Sequence, residues 1–123
     1  MNKILATILL GISLTGCSLT AQGKAIVAAN SIHDIATTEA QAISSYCTPK
    51  YQAAKTQADI DAADKVCIPA EKSYYAVKAA WTALMTTIQA SKAGLATDQQ
   101  VELAAQALAS VLADLEKVVG GLK

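Results

Sequence analysis

The chain has no phenylalanine and no arginine, one histidine, one tryptophan and two prolines in 123 residues. Each scarcity excludes something. Without arginine there is no planar fork to grip phosphates or base edges, and ten lysines against ten acidic residues leave no basic face for a polyanion, so nucleic acid is not an expected partner. The lone His33 has Asp34 as its sequence neighbour, but adjacent residues on a helix point about 100° apart, so no nucleophile, base and orienting acid assemble around it. There is no phosphate-cradling glycine loop, no zinc ligand set and no glycine-serine elbow, which leaves an enzyme without a signature. Long apolar runs are missing too. The longest, Ile4 to Leu14, is far short of the roughly 20 residues that span a bilayer as a helix.

That short run is informative by its flanks. Met1-Asn2-Lys3 puts a cation ahead of it, and Leu14-Thr15-Gly16-Cys17 closes it with small residues and a cysteine. A basic start, a short hydrophobic middle and a small-residue end form an export signal that is removed. The four-residue ending resembles the lipobox of bacterial lipoproteins. The resemblance implies removal of residues 1–16 by cleavage between Gly16 and Cys17, diacylglycerol on the Cys17 sulfur and an acyl chain such as palmitate on the new amino terminus. No other cofactor is expected. Two or three chains, at about 0.8 kcal/mol per buried methylene, make a durable membrane anchor. Ser18, which is not aspartate, implies by the sorting pattern of enteric lipoproteins the periplasmic face of the outer membrane in a Gram-negative host. Residues 17–23 are expected to be a lipidated, flexible tether, and residues 24–123 a single helical domain.

With Cys17 assigned to lipid, Cys47 and Cys67 remain as an even pair in an oxidising compartment, and they are expected to form a structural disulfide. Their spacing is too wide for a redox Cys-x-x-Cys. Loss of Lys3 leaves nine cations against ten anions, a net charge of −1.

Alanine is the commonest residue, which favours helices that approach closely around a thin core. From Lys24 to Tyr46, Ile26, Ala29, Ile32, Ala36, Ala40 and Ile43 repeat at threes and fours, predicting an amphipathic helix that Cys47 ends. Thr48-Pro49 and Ile68-Pro69 both look like helix starts, with proline at the first helical position. A short helix over 49–58 and a bent return through Asp59 to Asp64 are therefore expected between the cysteines. Ala70, Tyr74, Val77, Trp81, Leu84, Ile88, Ser91 and Leu95 form the seam of the next helix, Gly94 breaks it, and Thr97-Asp98-Gln99-Gln100 opens another as a capping box. Its seam is Val101, Ala104, Leu108, Val111, Leu115, Val118 and Leu122. With no alternating strand pattern, the expected fold is all-α: a small three-helix bundle, made of a C-terminal antiparallel hairpin and an N-terminal helix, with a short disulfide-closed helical excursion.

Asp59, Asp61 and Asp64 supply only the first two oxygens of a calcium loop, lacking the glycine and glutamate that complete it, so no metal site is expected. Tyr46, Tyr51, Tyr74 and Tyr75 lie near the cysteines, and Tyr51 and Tyr75 are the candidate partner contacts, since tyrosine packs its ring while its hydroxyl stays wet. An alanine-rich helical repeat behind a lipobox cysteine, with Lys123 at the end of the sequence, is also similar to the murein lipoprotein family, whose terminal lysine is joined to peptidoglycan. The cysteine pair, the prolines and the glycine breaks depart from that family, and Gly121-Leu122-Lys123 lacks its aromatic-basic ending, so wall attachment is carried by Lys123 alone. The expected function is a lipid-anchored, non-catalytic interaction or structural module facing the periplasm, with an envelope protein as partner and self-association open. The alternatives are an exclusion or inhibitor lipoprotein of phage or plasmid type, and a carrier of a small apolar ligand.

Overall fold

The apolar series that runs through Trp81 begins before Ala70. Ala63, Cys67, Ala70, Tyr74, Val77, Trp81, Leu84 and Ile88 continue one spacing of fours and threes, and the computed structural model, which describes residues 21–122, carries the whole series on one helix. Three helices result: α1 (Ala21–Ala53), α2 (Gln57–Lys92) and α3 (Asp98–Gly120). Each packs against the other two, and no strand occurs among the described residues. This is the expected three-helix bundle with a helical segment closed by a Cys47–Cys67 disulfide.

The boundaries inside that segment differ from the sequence reading. Cys47 does not end α1, and Pro49 and Pro69 lie inside α1 and α2 rather than at their starts. Asp59 to Asp64 form the first turns of α2, not a bent return. An interior proline costs a helix about 3 kcal/mol. Burial of Ala63, Cys67 and Ala70 at 0–8% exposure, together with the covalent link, is what outweighs that cost. The true turn is Ala54 to Thr56. Thr56 Oγ1 accepts from the Asp59 backbone N–H at 3.1 Å while Asp59 Oδ2 accepts from Thr56 N–H at 3.2 Å. This capping box uses aspartate where glutamate or glutamine is usual.

At the other end, Ala21 to Gly23, expected in the tether, are already helical, and Gln22 Nε2 donates to Ser91 Oγ across to α2 at 2.8 Å. Gly94, at φ +77°, ends the α2 stretch as expected. Its N–H donates to Ser91 O at 3.0 Å and the Leu95 N–H to Ala90 O at 2.8 Å, a Schellman closure that needs the left-handed backbone glycine adopts without strain. Thr97 then caps α3 with Gln100 as its reciprocal partner. Leu95 is not part of the seam: it is 81% exposed.

The core is thin and small-chained. Ala25, Ala29, Ile32, Ala36 and Ile43 of α1 meet Ala70, Val77, Leu84 and Ile88 of α2 and Val101, Leu108, Leu112, Leu115 and Val119 of α3. The seam forecast for α3 is half of the buried face. Ala109, Leu112 and Val119 are buried as well, while Ala104, Val111 and Val118 are half-buried, because a helix that packs on two others needs an apolar face wider than a single seam.

Helix α3 has 23 residues against 33 in α1 and 36 in α2, and it starts level with the start of α1. At 1.5 Å per residue the α1–α2 pair overhangs it by about 15 Å. The disulfide, with Cα atoms 5.9 Å apart, lies where this two-helix arm leaves the bundle, and both its cysteines are buried at the end of the core. Reduction, or the Cys47→Ser/Cys67→Ser pair, should lower stability by about 3 kcal/mol for a bridge of this span. Hydrogen exchange should show residues 44–70 losing protection before Val101–Val119; uniform loss along the three helices would contradict this account of the staple.

Candidate functional site

The arm and the stretch of bundle next to it bring together residues from both helices. Tyr51 on α1 donates through its hydroxyl to Asp64 Oδ1 on α2 at 2.6 Å, a second crosslink beside the disulfide. That acceptor, with the nearby charges of Asp64 and Glu71, pushes the Tyr51 hydroxyl up to about 12. Tyr74 and Tyr75 are adjacent in sequence and their rings meet at 5.6 Å, tilted 58°. Tyr51, Tyr74 and Tyr75 line one open groove of about 250 Å³ with Ile43, Cys47 and Glu71. Tyr46, also close to the cysteines in sequence, lines a different cleft, of about 660 Å³, with Pro49, Ala62 and Val66. That cleft lies where the overhang leaves α1 and α2 without α3.

Both candidate contact residues are thus near each other and accessible: Tyr75 is 61% exposed and Tyr51 37%. Tyr74, expected in the buried seam, is only half-buried. Lys78 Nζ stands 6.0 Å from the Tyr75 ring centroid and Lys50 Nζ 5.3 Å from that of Tyr46, at cation–π range. Ile60, Val66 and Ile68 add exposed apolar surface to this half of the molecule.

The ionisable residues singled out in the sequence do not converge. Asp59 is held below the ordinary carboxylate range by the Lys55 N–H first and then by Thr56, Asp61 Oδ1 accepts from Gln57 Nε2 at 2.9 Å, and Asp64 accepts from Tyr51. No metal-binding group occurs among the described residues. His33 is exposed, and its ring lies 5.7 Å from that of Trp81. These two rings border a small cavity of about 160 Å³ between α1 and α2, also lined by Ala36 and Val77.

Sequence reasoning missed one residue altogether. Glu116 is 2% exposed, the one charged side chain buried among the described residues, and its Oε1 has no hydrogen-bond partner among them. Burial, and then the charge of Glu39 on α1, push its carboxyl above the usual range. The available signal was its position between Leu112, Leu115 and Val119, inside the stripe rather than beside it.

Gly16, Cys17 and the leader, with Lys123 at the other end, lie outside the described residues. No described helix is long and apolar enough to cross a membrane. Comparison of the chain with protein-family models, curated proteins and solved structures gave no match.

Two measurements check this electrostatic description. Phenol titration should find one tyrosine ionising near pH 12, and Asp64→Asn should bring it back toward 10.0; a Tyr51 indifferent to that change would mean that the Tyr51–Asp64 bond does not form in solution. Because the folded state raises the Glu116 value, its contribution to stability is present below the ordinary carboxylate range and is lost as pH rises through the raised value. Glu116→Gln should therefore raise the melting temperature at neutral pH and flatten its dependence between acid and neutral pH. An unchanged profile would show that the carboxyl is solvated.

Proposed function

We propose that the protein is a lipid-anchored helical module that acts by contact at the bacterial envelope. Cys17 carries the lipid, the mature chain faces the periplasm from the outer membrane, and the groove beside the disulfide receives a protein partner. The observation that carries the contact reading is the open groove in which exposed Tyr51 and Tyr75 flank the disulfide. A rigid aromatic surface with wet hydroxyls loses little side-chain entropy on docking. The disulfide holds the two helices that present it, so the surface is formed before a partner arrives.

A carrier is less well supported. The cavity between His33 and Trp81, at about 160 Å³, is smaller than the roughly 300–1,000 Å³ of sites that enclose a drug-sized ligand, and the cleft beside Tyr46, at about 660 Å³, is open and carries Lys50 and Asp59 in its lining. An exclusion or inhibitor lipoprotein would be a particular case of the contact reading, with the inhibited protein as the partner.

Two substitutions separate anchor from contact. Cys17→Ser should abolish the lipid mass in mass spectrometry and move the protein out of the membrane fraction. A photo-crosslinker placed at the exposed Thr48, which lines the same groove, should capture one defined envelope protein, and adding Tyr51→Ala/Tyr75→Ala should lose at least ~10-fold in its capture, the effect of about 1.4 kcal/mol. A serine variant that stays lipid-loaded and membrane-bound would end the anchoring reading. Undiminished capture by the double alanine variant would end the contact reading.

A further inference from the structure

The large apolar side chains left exposed fall into two groups. Tyr51, Ile60, Val66 and Ile68 lie on the half that ends at the α1–α2 turn and Tyr75 at the middle of α2, whereas Val27, Leu95 and Leu103 lie within two turns of the opposite end. Leu95 is the apex of that opposite end. It follows Gly94 in the Schellman closure, a position from which an apolar side chain commonly packs back on its own helix. Here it does not: its 81% exposure is the highest of the eight. Val27 at 49% and Leu103 at 55% stand about one and a half turns from the same end, on α1 and α3.

The chain outside the structure says what this end faces. From Cys17 to the first helical residue, Ala21, four residue steps reach at most about 14 Å. If Cys17 is lipidated, as proposed above and as this inference requires, the start of α1 and the α2–α3 turn beside it are held within that distance of the lipid. Gln22 bonded to Ser91 fixes the two together. Lys24 and Lys92 are matched near this end by Asp98 and Glu102, so attraction of net charge to anionic headgroups is not the driving term.

We infer that this end is a lipid-contacting face: Leu95, ringed by Val27 and Leu103, enters the headgroup–acyl boundary of the anchoring leaflet, and the bundle stands upright on it. Apolar side chains at that depth leave water while Lys24 and Lys92 keep their charged heads in it. The 33 residues of α1 then hold the tyrosine groove and tip tens of ångströms above the membrane, at 1.5 Å per residue. The anchor thereby sets orientation as well as location.

The test uses the lipid-loaded full chain in vesicles of phosphatidylethanolamine and phosphatidylglycerol. Cys47 and Cys67 are bonded to each other and Cys17 carries lipid, so Leu95→Cys and Tyr75→Cys each supply one free thiol for an environment-sensitive fluorophore. Mass spectrometry of the same samples reports the Cys17 lipid independently. The inference expects a blue-shifted Leu95→Cys label that loses quenching by aqueous iodide, and a Tyr75→Cys label that stays fully quenched. A quenched Leu95→Cys label on lipid-loaded protein overturns the inference and leaves the anchor intact. Shielding of both labels also overturns it, since the bundle would then lie flat. Shielding of Leu95→Cys with energy transfer between labels overturns it in favour of a second copy at this face. Absence of lipid mass overturns the anchoring reading, and the inference with it.

Discussion

Two helices of 33 and 36 residues pack on a third of 23, and that inequality organises the molecule. Where all three run together, each stripe is covered from two directions and aliphatic side chains suffice to close the core. Beyond Gly120 only α1 and α2 remain, and a two-helix layer cannot cover its own apolar face. The disulfide and the Tyr51–Asp64 bond sit in that layer. They add covalent and polar links between the two helices at the level where the third helix ends.

The same inequality makes the two ends unlike each other. One end has three helix termini, a tight glycine turn and a capping box, and it projects one leucine. The other has a single turn between two long helices, with an open cleft beside Tyr46 and the tyrosine groove running from it toward the middle of α2. A contact surface in the tyrosine groove, which runs from the middle of α2 to Tyr51 in the arm, is rigid because its staples are local. Glu116 runs against the packing around it: a carboxylate inside an aliphatic stripe is a local conflict of the kind that foldable sequences rarely keep.

Much of this was legible in the residues. Stripes at threes and fours gave three helices, Gly94 and Thr97 marked the α2–α3 turn, and the cysteine pair was matched by elimination once Cys17 was set aside. The misread helix starts at the two prolines share one cause. Thr48-Pro49 and Ile68-Pro69 carry strong local start signals, and local signals decide only where tertiary burial is indifferent. At Cys67 and Ala70, both 0% exposed, it was not. The real turn at Thr56 was harder to see because aspartate replaced the usual third partner of the box. Leu95 was counted in the seam because its spacing was right, although the chain had already left the helix.

The sequence alone determined helical content, the turn at Gly94, the pairing of Cys47 with Cys67 and the lipobox pattern at Cys17, because each rests on neighbours a few positions apart or on an elimination among cysteines. Only the tertiary structure decided that both prolines stay inside helices and that α3 leaves an overhang. It also decided that three tyrosines share a groove while the fourth turns away, and that Glu116 is enclosed. These follow from which faces are covered by elements distant in the chain, and coverage depends on helix lengths and levels that no short window of residues contains.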